Sequence, residues 1–227
     1  MSRREGPVVT IDGPAGAGKS TTAREVARRL GFRHLDSGAL YRALTFALLD
    51  ADVPEERWPR LDVEDLRALG VDLEPTPDGF RVRLGERVLE RELRSAEVTS
   101  LVSRLARLPA ARASLLELQR RAGALGRLVA DGRDMGTVVF PDAEVKVYLS
   151  ADLEERARRR LRDEGIERPS REEIARQAEA IAERDCRDSE REASPLRRPP
   201  DAREIDTTSM TFEEQVAAIV ALVEASL

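Results

Sequence analysis

Apolar positions recur along this 227-residue chain with two periods, and the switches between them mark its parts. Val8-Val9-Thr10-Ile11 reads as a buried strand. Ala23, Val26, Ala27 and Leu30 then recur at helical spacing, and Gly31 stops that helix. Phe32 to Leu35 predicts a short second strand, and Asp36-Ser37-Gly38 a turn and helix cap. The helix through Ala39 to Leu49 is apolar nearly all round and therefore buried, with Arg42 its only charge. Residues 50–70 are charged and predict a loop and a short helix, with Trp58 assigned to packing. From Val71 to Leu93 the period drops to two, with turns at Pro75 to Gly79 and at Gly85-Glu86. That pattern predicts a small antiparallel sheet inserted into strand–helix alternation.

Two helices follow, divided near Pro109. Val98, Leu101, Val102, Leu105 and Leu108 form the first buried stripe, with Ser103 off it; Leu115, Leu116 and Gln119 form the second, with Arg112 on the same face. Leu128 to Asp131 and Val145 to Leu149 are further core strands. Beyond Asp152 the chain is heavily charged; Arg156, Arg159 and Arg160 share one helix face. Gly165 and Pro169 end that helix, and Ser170 can cap the next. There Ile174, Ala178 and Ile181 form a stripe that continues into Arg184, Asp188 and Arg191. A face apolar at one end and charged at the other implies a polar, anion-holding pocket. Glu204 to Thr207 predicts the last strand, and Thr211 caps a closing helix with Val216, Ile219, Val220 and Val223 inward. The expected fold is α/β: a five-stranded parallel sheet with helices on both faces, a small antiparallel β insertion and a charged helical pair.

Gly13-Pro14-Ala15-Gly16-Ala17-Gly18-Lys19-Ser20 fits a phosphate-binding loop, and it stands between a strand and a helix as that chemistry requires. Glycines let the backbone wrap an anion with its N–H groups inward, and the helix adds its positive end. Lys19 supplies a mobile cation for β and γ phosphates, and Ser20 a hydroxyl for Mg²⁺. Cations elsewhere are almost all Arg; Lys occurs only at 19 and 146. Asp131, at a strand end, is placed to hold Mg²⁺ or its waters. Gly132-Arg133-Asp134-Met135-Gly136 follows at the same sheet edge, where open α/β sheets bind ligands. Arg42 needs a partner, and an anion at a second site is the functional choice. His34, the only histidine, is assigned a structural role.

Net charge of −5 with interspersed signs argues against a nucleic-acid footprint. A single cysteine, Cys186, excludes an internal disulfide. Met1 to Pro7 is too short and charged for a signal peptide, and no apolar run spans a bilayer, so the expected location is cytoplasmic. A guanine-nucleotide switch would need an Asn-Lys-x-Asp motif, and the chain has no Asn.

Three blocks carry a resemblance: Ile11 to Ser20, Asp36-Ser37-Gly38-Ala39-Leu40-Tyr41-Arg42, and Ala130 to Asp142. Together with the β insertion they make the whole chain similar to the bacterial cytidylate kinases, within the phosphate-loop NTPase fold. The resemblance implies one kinase domain: core 1–54, 126–151 and 196–227, a nucleoside-monophosphate-binding insertion 55–125, and a lid 152–195. It implies ATP as donor, CMP or dCMP as acceptor, Mg²⁺ as cofactor, and a monomer. ATP would lie along Gly13 to Thr21. Arg42, Arg133 and Arg191 would bind the acceptor phosphate with Ser37 nearby; Ser103, Arg112 and Asp134 would read cytosine; Arg184 and Asp188 would meet the sugar; Tyr41 would line the site. Lys19, Asp131 and the lid arginines Arg156 and Arg160 would act in catalysis. Kinases for UMP, AMP or shikimate are the alternatives.

Overall fold

A computed structural model describes residues 6–226; the reading of Met1 to Pro7 falls mostly on residues outside these. Its centre is a parallel sheet. β1 (Val8–Asp12) and β6 (Leu128–Gly132) are buried at every position and lie side by side. β7 (Val145–Ser150) flanks β1, and β8 (Arg203–Asp206) lies outside β7. β2 (Arg33–Asp36) flanks β6 on the other side. Strands buried on both faces need continuous apolar sequence, which Val8-Val9 and Leu128-Val129-Ala130 supply.

α1 (Lys19–Leu30) and α8 (Phe212–Glu224) cover one face, where Val26, Ile219 and Val223 meet Val9, Ile11 and Val147. α2 (Ser37–Asp50), α4 (Ala96–Leu105) and α5 (Pro109–Ala124) cover the other, around Leu40, Leu44, Leu105 and Leu115. The short α3 (Val63–Ala68) packs on α5, and Trp58 is buried with its indole N–H on the Val53 carbonyl at 3.0 Å. α6 (Leu153–Asp163) and α7 (Arg171–Ser189) form the charged pair, with a small core of their own. The caps lie where local chemistry puts them. Asp36 accepts from the Ala39 N–H, while Ser170 and Thr211 each form a reciprocal capping box.

The small sheet is not a detached insertion. β3 (Val71–Thr76), β4 (Gly79–Leu84) and β5 (Arg87–Val88) are antiparallel among themselves, but β4 continues the main sheet by pairing parallel to β2 at His34–Gly79. Among the described residues, eight strands form one sheet, five of them the parallel core, and no helix is long and apolar enough to cross a membrane. Gly79 permits the junction: a Cβ there would lie 2.6 Å from the His34 carbonyl oxygen. Gly79→Ala is therefore expected to cost about 1–3 kcal/mol, as overpacking does. Urea unfolding reads this as a lower midpoint; an unchanged midpoint would show that the strands need no such contact.

Candidate functional site

The carboxyl ends of β1, β2 and β6 meet at one edge, with Asp12 opposite Gly132 and Asp36 opposite Asp131. The phosphate loop leaves β1 there and α1 begins at Lys19. Lys19 is 6% exposed, and its Nζ donates to the Pro14 carbonyl at 2.6 Å. Burial and then the charge of Arg133 hold this ammonium well below its ordinary pKa, against the pull of Asp131. The loop and the arginines thus share one electrostatic field.

The Ser20 hydroxyl donates to Asp131 Oδ2, and His34 Nε2 donates to Oδ1 of the same carboxylate at 2.7 Å. Burial and the neighbouring Asp131 raise the pKa of Asp36. Ser20, Asp36 and Asp131 offer hard oxygen donors of the kind Mg²⁺ selects. Among the described residues no group of three or more acidic, His or Cys side chains could hold a metal alone.

A second cluster lies beside the loop. Arg133 Nε donates to Asp188 Oδ2 at 2.9 Å, and Arg191 Nε to the Asp188 carbonyl at 3.0 Å. Burial would raise the Asp188 pKa, but Arg133, Arg191 and Arg184 outweigh it and hold the carboxyl low. Arg184 is lowered to about 10 by burial and then by Arg133. Arg42 is lowered by burial too; Asp36 opposes this while Arg160, Arg94 and Arg133 add to it. Among the described residues Arg42 has no ion pair; its Nη1 reaches the Thr99 hydroxyl at 3.5 Å. Arg191 stands just past the α7 terminus at Ser189 rather than on the helix.

The remaining expected groups join from α2, α5 and the turn after β6. Arg112 bonds Asp134 through Nη2, donates to the Ala106 carbonyl at 3.1 Å, and sits 5.2 Å from the Tyr41 ring centre. Ser37 is buried against Gly132. Burial lowers Arg112, but Tyr41 and Asp134 outweigh it and leave it raised. Among the described residues four buried guanidinium nitrogens have no hydrogen-bond partner: Arg83 Nε in the small sheet, and Arg112 Nε, Arg184 Nε and Arg191 Nη2 here. Unpaired buried donors are rare, and the last three belong to arginines whose charges bear on Asp188 or Asp134. Ser103 is only half-buried, and no hydrogen bond ties it to Arg112 or Asp134 among the described residues.

One expectation changes. Arg156 does not point a free guanidinium across the cleft. Its Nη1 donates to the Ala15 carbonyl at 2.9 Å and pairs with Asp185, while Nε donates to the Ala151 carbonyl at 3.0 Å. Arg160 is the more exposed lid cation, 38% exposed with its Nε paired to Glu164 at 2.9 Å, and its charge reaches both Arg42 and Arg184. His34, read as structural, keeps that reading and holds Asp131 through their 2.7 Å hydrogen bond.

Sequence reasoning passed over Asp12 and Asp185. Asp12 accepts the Met135 and Gly136 N–H groups at 2.9 and 2.7 Å, and burial pushes it up to about 7 against those bonds. Asp185 accepts the Ala15 N–H at 2.8 Å. The available signal was an acid inside a strand and an acid beside a site arginine.

A protein-family model described as cytidylate kinase matches residues 9–225. A cytidylate kinase of Exiguobacterium sp. is 43% identical over 216 residues, covering 95% of this chain and 96% of its own length. That of Geobacillus thermodenitrificans is 44% identical over 222 residues, covering 95% of each. A solved structure of an uncharacterized protein from Eubacterium ventriosum superposes with a TM-score of 0.53 at 9% identity, covering 97% of this chain and 99% of its own. The last similarity concerns the fold alone.

Proposed function

Because the chain belongs to the cytidylate kinase family, which phosphorylates CMP and dCMP with ATP, we propose how its own residues divide that work. The observation that carries the assignment is the set of buried, unpartnered guanidinium nitrogens on Arg112, Arg184 and Arg191, gathered around Asp134 and Asp188 beside the phosphate loop.

Residues Gly13 to Thr21 line the triphosphate: Gly16, Ala17, Gly18, Ser20 and Thr21 offer backbone N–H groups and the α1 N-terminus, Gly13, Pro14 and Ala15 shape the turn, with the Ala15 N–H held by Asp185, and Lys19 carries its charge to the β and γ phosphates. Ser20 would hold Mg²⁺, with Asp131 and Asp36 oriented toward its waters. When bound with ATP, Mg²⁺ supplies charge neutralisation between the β and γ phosphates. Arg42, Arg133 and Arg191 hold the acceptor phosphate, with Ser37 beside it. Arg112 and Asp134 read the cytosine edge against Tyr41. Arg184 and Asp188 take the ribose. Ser103 is the weakest member of this set, because no bond draws it in.

The phosphoryl group moves directly from ATP to a CMP oxygen: one P–O bond forms as another breaks. That oxygen is already a competent nucleophile, so no general base is needed. Catalysis is positioning plus charge stabilisation. Arg160, held only by its exposed pair with Glu164, is the lid cation that would turn to the moving group, while Arg156 acts by holding the loop. The core, the 55–125 insertion and the 152–195 lid enclose the cleft, which keeps water from hydrolysing ATP.

Coupled measurement of ADP release with CMP, dCMP, UMP, AMP and shikimate, each at limiting concentration with and without Mg²⁺, tests this. CMP and dCMP should be preferred by about 10²-fold or more, the scale set by leaving buried polar groups unmatched. Equal rates with UMP or AMP would remove the base-reading role of Arg112 and Asp134, and full turnover in EDTA would remove the role of Ser20.

A further inference from the structure

Ala15, the third residue of the phosphate loop, is held by the α6–α7 pair through every group it has. Its methyl packs with Ala157, Leu161, Ile174 and Ile181, the small core of that pair. Its N–H donates to Asp185 Oδ1 at 2.8 Å, and its carbonyl accepts from Arg156 Nη1 at 2.9 Å. The same Arg156 nitrogen bonds Asp185 Oδ2, closing a ring of three contacts. The next residue leans on α6 as well. Gly16 has φ +76°, and a Cβ there would lie 3.0 Å from the Arg156 carbonyl oxygen and 3.1 Å from its Cβ. The loop backbone therefore touches α6 with no space for a side chain.

Asp185 is also next to the acceptor site along α7. It follows Arg184 directly and precedes by one turn Asp188, which holds Arg133 at 2.9 Å. One helix thus grips the triphosphate loop with one residue and bears on the second nucleotide with its neighbours.

We propose that Asp185 and Arg156 are positioning residues forming a latch that makes the phosphate loop and the α6–α7 pair one rigid unit, so that ATP and CMP bind cooperatively. This rests on the reading that Arg184, Asp188 and Arg191 contact CMP. A triphosphate that settles the loop settles Ala15, and through Asp185 it fixes α7. The acceptor arginines are then already ordered when CMP arrives, and the second ligand loses less conformational entropy. Coupling between two sites is reciprocal, so CMP must tighten triphosphate binding by the same factor.

Calorimetric titration of CMP with and without saturating AMPPNP, a non-hydrolysable ATP analogue, and the reverse titration measure that factor. The wild-type protein is expected to show at least about fivefold coupling in both directions, the lower end of ordinary allosteric coupling. Asp185→Ala and Arg156→Gln should bring the factor close to one while each nucleotide still binds alone. Asp185→Asn keeps an acceptor for the Ala15 N–H but sets an NH₂ against Arg156, so it breaks the ion pair alone and should fall between; it is the variant to rely on if the others do not fold. A latch that only staples the lid would lower thermal stability and both separate affinities, yet leave the factor intact. An intact factor in the folded variants, or none in the wild type, overturns the proposal. If CMP does not bind the wild-type protein at all, the acceptor-site reading falls with it.

Discussion

Lys19→Ala is expected to lower kcat by about 10³-fold or more, the scale on which single charge-stabilising donors act in a transition state, while the chain stays folded. The ammonium is buried at the start of α1, and among the described residues the Pro14 carbonyl is its one hydrogen-bond partner. Asp131 lies across the loop, but Arg133 and Arg184 repel the charge, and burial is the largest cause of its lowered pKa. A cation held in that way costs stability. The unfolded chain binds this proton more tightly than the folded one, so the cost is fully present below the lowered pKa and fades as pH rises toward the ordinary lysine value. Removing Lys19 should therefore leave the thermal midpoint at pH 7 equal or higher, and flatten the part of the wild-type gain with rising pH that this group causes. Steady-state ADP release and melts at two pH values measure both. Ordinary turnover would end the phosphate role, and a collapsed midpoint would mean that Lys19 holds the loop together instead.

What the sequence disclosed was local. The loop from Gly13 to Ser20, the Gly31 stop and the Asp36, Ser170 and Thr211 caps are contacts within a few residues, and the structure has them in place. The α7 stripe was legible too, because apolar Ile174 and Ile181 continue into Arg184 and Asp188 at helical spacing. What stayed hidden depends on partners far along the chain. His34 reaches Asp131 only because β2 lies against β6 in a register that no period encodes. Asp185 sits one position off the stripe, and its use comes from the Ala15 N–H, 170 residues away. Arg156 and Arg160 look equivalent on one helix face. Only the nearness of the loop backbone shows that Arg156 is already spent on Ala15, while Arg160 remains more open. The small sheet likewise reads as separate until Gly79 meets the His34 backbone.

Asp134→Ala should abolish the preference for CMP and lower kcat/KM for it by at least about 10²-fold, since buried groups built to match a ligand carry discrimination of that order or more. Asp134 is 3% exposed and is the ion-pair partner of Arg112. Taking one member from a buried pair costs about 3–5 kcal/mol when the other charge is left uncompensated. Here the Ala106 carbonyl, the Tyr41 ring and the charge of Asp188 still face Arg112, so the loss should fall at the low end of that range. Two consequences must be separated: a less stable protein, and a site that no longer recognises its base. Asp134→Asn separates them, because it keeps the shape and one acceptor while removing the charge. It should recover more stability than selectivity. AMPPNP affinity is the control, because in the proposed arrangement the triphosphate meets the loop amides and Lys19, not Asp134. The informative measurement is therefore kcat/KM for CMP against UMP in both variants, at a temperature where each is folded. If the CMP preference survives in Asp134→Ala with normal triphosphate binding, recognition of the base must come from other residues, and the pairing of Arg112 with Asp134 is only a buried ion pair holding α5 to the turn after β6.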